Sequence, residues 1–395
     1  MRIAFLFGAG ASKAAGLPGT SDITKAIRSG QYEGTPISKH SDGRYFIGKP
    51  QCLNRIEPDR PKAEVLAFID IIVPIIDDYY STFDSSHITT YEDIFYVAEQ
   101  IHDSLSIELD NPAISLLEKL LFENRILFPD INESQDSRER RLMGISGETT
   151  NYILCTASNL LYSTNMTSKH LQMLKECLHE YMIDIYTLNH DLVVENFLEN
   201  AAVQYIDGFR NPTDDGTRYW DPITYDQRIG TDGLPETRLY KLHGSIDWYS
   251  LPEGVVIPPR DSQWWNRKDA KGNRRSHYSN GPLILIGTFN KYKAYLYEVF
   301  MELQYRFIYP FNKVQTLIVC GYSFGDQGIN ARIVRWLRHT ENNRVIIIHP
   351  RPDGLKERAR SGISRRWDFL INSKKLEVIP KGIEEVKWDD IRPLL

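Results

Sequence analysis

The chain has 395 residues, enough for two or three structural units around a large core. Hydrophobic residues make up 42% and charged residues 25%, the balance of a globular chain rather than a disordered one. A net charge of -5 excludes a chain that coats nucleic acid with its whole surface, and no apolar run nears the roughly 20 residues that span a bilayer.

The N-terminus opens on an apolar stretch, Ile3 to Phe7, which reads as a short buried strand. Arg2 before that stretch and Ala9-Gly10-Ala11 after it mimic a cleavage signal. The stretch is short and a cut would destroy the glycine motif, so no signal peptide is expected. That motif is Gly8-Ala9-Gly10-Ala11-Ser12, followed by Gly16-Leu17-Pro18. A strand ending in Gly-x-Gly offers bare backbone N–H groups to a pyrophosphate, with no Cβ in the way. The pattern is not a full Gly-x-Gly-x-x-Gly, because position 13 is Lys. Taken alone it fits a tight structural turn as well as a phosphate site.

Thr20-Ser21-Asp22 supplies caps for a helix from Ile23 to Ile27. Residues 31 to 60 are rich in glycine, proline and polar residues and read as irregular. From residue 61 to 180 the periodicity becomes helical. Val65, Phe68, Ile69, Ile72 and Val73 fall at helical spacing, as do Ile94, Val97, Ala98 and Ile101, and then Leu116, Leu117, Leu120 and Leu121. This predicts an all-helical insertion, with a polar loop at Asn132 to Arg141. The expected division is therefore a discontinuous α/β domain, 1–60 and 181–395, around a helical insertion, 61–180.

Alternation of strands and helices resumes at Ile183. Apolar runs at Ile183–Leu188, Leu239–Leu242, Leu283–Ile286, Thr316–Cys320 and Val345–Ile348 predict strands. Helices are expected at Leu192–Glu199, Lys293–Phe307 and Ile329–His339. Strands that are apolar throughout predict a Rossmann-like parallel sheet covered by helices on both faces. Ligands of such sheets bind outside the carboxyl ends of the strands. Four motifs stand there: the glycine turn, Thr187-Leu188-Asn189-His190-Asp191, His243-Gly244, and Gly321-Tyr322-Ser323-Phe324-Gly325-Asp326 with Asn330. Singly, each has a plain structural reading: Asp191 as a helix cap, His243 as a core histidine, Ser323 and Asp326 as turn residues.

Together, and in this order, the first three motifs closely resemble the NAD-binding opening, the Thr-x-Asn-x-Asp motif and the His-Gly of sirtuins. The fourth looks like the last motif of bacterial sirtuin-like NAD-consuming proteins of anti-phage defence. The resemblance covers somewhat more than half the chain and does not extend clearly to the helical insertion. Two departures stand out. Gly19-Thr20-Ser21 replaces the Asp-Phe-Arg of the deacetylases, and no cysteine lies between Cys177 and Cys320, where their zinc ribbon would be. The other cysteines are Cys52 and Cys155, and none forms a Cys-x-x-Cys pair. Four reduced thiols, no metal site and a cytoplasmic protein are the expectation.

The resemblance implies that NAD is the substrate and that no further cofactor is needed. It implies that Gly8, Ala9, Gly10 and Ser12 cradle the diphosphate and nicotinamide ribose. Asn189 would bond the ribose hydroxyls or a water, Asp191 would sit by the carboxamide, and His243 would be the general base. Gly321, Ser323 and Asn330 would hold the adenosine half, and His349 would reach the adenine ribose. Without the module that frames an acyl-lysine cleft, water is the expected acceptor. The implied activity is a NAD glycohydrolase giving nicotinamide and ADP-ribose, an effector that depletes NAD in anti-phage defence. A silent NAD or ADP-ribose sensor, and an ADP-ribosyltransferase or deacylase with the same pocket, are the alternatives. The family further implies a homo-oligomer held with a HerA-type ATPase or an Argonaute-like protein. In place of the zinc ribbon runs a basic segment with Trp264 and Trp265, from Pro258 to Asn280, suited to a nucleic acid, a protein partner or solvent alone.

Overall fold

The computed structural model describes residues 1–39, 43–48, 60–82, 87–106, 112–162, 166–227, 236–259, 281–287 and 298–395. Two compact units divide the chain. One comprises residues 1–19, 161–279 and 293–395, the other residues 20–160 and 280–292.

The first unit is built on a seven-stranded parallel sheet. Its strands are β1 (Arg2–Phe7), β2 (Met182–Thr187), β3 (Tyr205–Ile206), β4 (Thr237–Lys241), β5 (Thr316–Cys320), β6 (Arg344–Ile348) and β7 (Leu376–Ile379). Across the sheet they run β7-β6-β5-β1-β2-β4-β3. The chain thus builds outward from β1 in one direction, then returns to build from its other side. That reversal between β1 and β5 is the topological switch point at which α/β sheets take ligands.

Apolar runs without alternation become strands here because both faces of the sheet are covered. On one face Ile3, Phe5 and Phe7 pack with Leu174 and Cys177 of the helix Gln172–Cys177, with Phe197 and Leu198 of Val193–Asn200, and with Trp388. On the other, Tyr186 meets Phe307 and Phe311 at centroid separations of 4.9 and 5.6 Å. Phe307 belongs to the helix Glu298–Ile308, and Phe311 packs against Trp336 of the helix Gln327–Leu337. The α/β, Rossmann-like fold expected from the sequence is the fold observed.

Register fixes what the carboxyl edge presents. Phe7 pairs with both Cys320 and Thr187, Thr187 with Lys241, and Cys320 with Ile348. Five strands therefore end level with one another. The segments beginning at residues 8, 188, 242, 321 and 349 all leave the sheet along one line.

The second unit holds the helices Thr20–Ser29, Arg60–Ser81, Tyr91–Leu105, Ile114–Phe122 and Gln135–Leu161. Val65, Phe68, Ile69, Ile72, Ile94, Ala98 and Ile101 are buried, as their spacing requires, whereas Leu116 and Leu120 are exposed and Leu121 is buried. Three further readings are corrected. Within residues 31–60, Gln31–Tyr32, Thr35–Lys39 and Tyr45–Ile47 form a small antiparallel sheet. Its first hairpin turns on Glu33 and Gly34, both at positive φ, as a two-residue turn of that hand demands. The polar stretch expected as a loop at 132–141 begins a helix at Gln135 instead. The Ser134 hydroxyl accepts from Ser137 N, and Gln135 bonds Glu139 one turn on, so its polarity marks a solvated helix face. Residues 283–286 form no strand; Leu285 and Ile286 are buried without a ladder of their own. Of the expected helix 293–307, the described part starts at Glu298.

Candidate functional site

The glycine turn is welded to the loop after β5. Gly8 N donates to Cys320 O at 3.0 Å, and Gly10 N to Gly321 O at 2.9 Å. A Cβ on Gly8 would lie 2.7 Å from Gly321 O, one on Gly10 2.8 Å from Gly321 Cα, and one on Gly321 2.2 Å from Ala11 N. The two glycine segments touch backbone to backbone, which no other residue type permits. This corrects the expectation of bare N–H groups at Gly8 and Gly10, since both donate to the facing loop. Ala11 N is likewise spent, on Gly8 O. Ala9 and Gly10 are the exposed members of the turn, and Ser12 is buried.

Asn189 reaches the turn from the next strand end. Its Nδ2 donates to Gly8 O at 2.9 Å and to Ser12 Oγ at 2.7 Å, and its backbone N donates to Thr187 Oγ1. Both amide donors are thus committed to the glycine turn, which fixes the direction of Oδ1. Asp191 is buried, and its Oδ1 accepts from Val193 N at 3.0 Å. That bond leads the chain into the helix Val193–Asn200, whose N-cap is Leu192, close to the plain structural reading of Asp191.

His243 follows β4 and is 5% exposed. Its loop is stitched to the Asn189 loop: Leu242 N donates to Thr187 O and Ile246 N to His190 O. The rings of His190 and His243 lie 6.3 Å apart. Nε2 of His243 faces Asp326 Oδ2 at 3.5 Å. Asp326 Oδ1 meanwhile accepts from Ile329 N, capping the helix Gln327–Leu337. The carboxylate that faces the histidine is therefore itself held by a helix N-terminus. In the sequence Asp326 belongs to the fourth motif, with a turn residue as its plain reading and no role assigned beside His243. Its cap role was legible, but its facing of His243 needed the tertiary fold.

The β5 loop holds an unusual backbone. Gly321 and the non-glycine Phe324 sit at φ of 67° and 58°. Phe324 is fully buried between Tyr322 and Trp367, so packing enforces its left-handed conformation. Asn330 is fully buried as well. Its Nδ2 donates to Phe324 O and Arg360 O, and its Oδ1 accepts from Tyr322 OH at 2.9 Å. That amide is bonded within the protein, so Asn330 braces the loop that carries Asp326. Ser323 is exposed on the same loop. His349, at the end of β6, lines a separate cavity of about 530 Å³ with Arg351 and Arg358. Its Nδ1 accepts from Arg351 N, and burial together with the Arg358 charge lowers its pKa.

A second cavity, of about 270 Å³, lies beyond the ends of β3 and β4. Glu195, Lys241, Asp207 and Arg218 border it, paired as Glu195–Lys241 and Asp207–Arg218. Burial pushes the Glu195 carboxyl up to about 7 against the opposing pull of Lys241. A carboxyl raised above its unfolded value binds more protons in the folded state, so its contribution to stability falls as pH rises from about 4.5 towards 7. Glu195→Gln does not titrate, so its thermal stability relative to wild type should rise across that window. Melting curves taken at several pH values check this, and parallel pH dependences would contradict it.

Among the described residues, no group of three or more His, Cys, Asp or Glu is placed to hold a metal ion. Cys155, Cys177 and Cys320 are buried thiols, and burial raises the pKa of the last two. Cys52 and the basic segment from Arg260 to Asn280 lie outside the described residues. No described helix is long and apolar enough to cross a membrane.

A comparison with curated proteins found no match. Residues 184–379 match the family model of the SIR2-like domain, a span that starts in β2, ends with β7 and includes Asn189, His243 and Asp326. The glycine turn of β1 docks against that span, and residues 184–379 are similar to a SIR2-like domain, a family that suggests NAD-dependent activity in general.

Proposed function

We propose that this carboxyl edge cleaves the nicotinamide–ribose bond of NAD, with water as acceptor, giving nicotinamide and ADP-ribose. The observation that carries the reading is the level ending of β1, β2, β4 and β5, which gathers Asn189, His243 and Asp326 at the switch point. The fit to a dinucleotide rests on this chain's own groups. Asn189 Oδ1 accepts from a ribose hydroxyl or a water, because its two donors are held by Gly8 and Ser12. Gly10 and Ala9 leave the mouth of the turn free of side-chain bulk, though the N–H of Gly10 is already engaged. His243 takes a proton from the ribose hydroxyl or from water, and Asp326 sets its ring and offsets the charge it gains. Burial of His243 keeps bulk water from competing at the nitrogen.

Two residues enter this reading in altered roles and a third keeps its own. Asp191 and Asn330 hold the frame rather than the ligand, and His349 is kept for the adenine ribose only through the cavity it lines with Arg351 and Arg358. Depletion of NAD in anti-phage defence, a homo-oligomer and control by a HerA-type ATPase or an Argonaute-like protein are part of the same proposal. They are supported by the sequence resemblance alone.

The test is incubation of the purified protein with NAD, with and without its assembly partner, followed by chromatography of the products. Nicotinamide and free ADP-ribose in equal amounts are expected. An ADP-ribosyl adduct on protein would move the assignment to a transferase. Turnover only with an acylated peptide would move it to a deacylase. Binding without turnover would leave a sensor.

A further inference from the structure

Lys241 is the last residue of β4, two positions before His243, and it is 2% exposed. Its Nζ donates to Asp191 O and, at 2.6 Å, to Glu195 Oε1. A buried ion pair is costly to desolvate, and apolar residues in place of both partners are often as stable or more so. Stability is therefore a poor account of this lysine. Its two acceptors belong to the segment that leaves β2, whereas its own backbone carries the histidine loop. The side chain ties together the loops that bear Asn189 and His243, alongside the backbone bonds Leu242 N to Thr187 O and Ile246 N to His190 O.

We propose that Lys241 is a positioning residue that clamps the Asn189 loop to the His243 loop and so sets the spacing of the two side chains. The functional half of this inference rests on the NAD-cleaving reading; the clamp itself does not. Glu195 anchors the other end of the clamp. Lys241 and Asp247 from the β4 side and Tyr205 of β3 face it, Glu199 follows on its own helix, and the Asp207–Arg218 pair lies across the cavity. Glu195→Gln keeps an acceptor for Lys241 and leaves the bond to Asp191 O in place. Lys241→Met keeps the length and removes every donor. Lys241→Gln retains one amide that reaches a single acceptor.

The experiment combines hydrogen exchange read by mass spectrometry with steady-state NAD cleavage. In Lys241→Met, a peptide covering residues 242–246 should exchange at least about tenfold faster, while a peptide in β5 stays protected and reports an intact sheet. Nicotinamide release should fall by about 10- to 100-fold in kcat with KM for NAD changed less than about threefold, as expected from a small misplacement of catalytic groups. Lys241→Gln should fall between, and Glu195→Gln should stay within about threefold of wild type on both readouts. Should Lys241→Met lose protection in β5 as well, Lys241→Gln becomes the deciding variant. Wild-type exchange in residues 242–246, or lost protection with unchanged kcat, would overturn the proposal. A wild-type protein that releases no nicotinamide would contradict the NAD-cleaving reading, and the exchange measurement would still decide the clamp.

Discussion

His243→Ala should leave a folded protein that binds NAD and releases nicotinamide about 10²- to 10⁴-fold more slowly than wild type. The size follows from removing a positioned proton acceptor while the rest of the carboxyl edge stays in place. Folding should survive because the carboxylate beside the histidine keeps its other partner. Asp326 still accepts from Ile329 N and still caps its helix. The loops remain stitched by Leu242 N and Ile246 N, which are backbone bonds. Asp326→Asn is the informative companion. Its amide oxygen can keep the cap, but the charge facing His243 is gone, so turnover should fall by less than in His243→Ala. Circular dichroism and NAD titration establish the fold and the binding, and a stopped time course of nicotinamide gives the rate. Full turnover by a folded His243→Ala protein would remove the histidine from the chemistry.

Gly321→Ala should be strongly destabilising for a single added methyl group. Two costs add at this residue. Its φ of 67° is disfavoured for alanine, by about 1–2 kcal/mol. The new Cβ would also stand 2.2 Å from Ala11 N, a backbone atom that cannot swing aside as a flexible side chain would. The turn and the β5 loop must therefore separate, breaking the Gly10 N to Gly321 O bond, for a total of about 2–4 kcal/mol. Loss of activity should accompany it, because that separation moves Ser12 and with it Asn189. Gly325→Ala is the control from the same loop. Its φ is not in the left-handed region and its nearest neighbour is Ser323 Oγ at 3.7 Å, so a change within about 0.5 kcal/mol is expected. Equal stability of the two variants by chemical denaturation would refute the close-contact reading of Gly321.

Much of the frame was legible because burial on both faces leaves strands with no polar alternation to confuse. The runs at Ile3, Ile183, Leu239, Thr316 and Val345 each became a strand of the main sheet. Their end residues were legible too, since a parallel sheet brings its carboxyl ends to one edge. The run Leu283–Ile286 has the same composition and forms no strand beyond a single bridge at Ile284, so an apolar tetrapeptide does not by itself signal a strand. The hairpin at Glu33-Gly34 was hidden because only its glycine marks a turn strongly.

At the candidate site, residue types put the motifs at one sheet edge, where they stand, but gave no direction for each side chain. Asn189 and Asn330 both belong to motifs that follow a buried strand, the first directly after it and the second on the helix beyond. The first turns to the glycine motif, and the second turns inward to Phe324 O, Arg360 O and Tyr322 OH. The glycines of the first turn were right in kind and different in cause: they admit Gly321 rather than a bare N–H cradle. The Lys241–Glu195 pair was not legible at all, because 46 positions separate its members and neither carries a motif.

The most direct measurement is a crystal structure of His243→Ala with NAD, in which slow turnover preserves the intact dinucleotide. The nicotinamide ribose should lie at the ends of β1, β2 and β4, with a hydroxyl within hydrogen-bond reach of Asn189 Oδ1 and its reacting face towards the space left by the imidazole. NAD bound away from that edge, or a ribose turned from both Asn189 and position 243, would contradict the account.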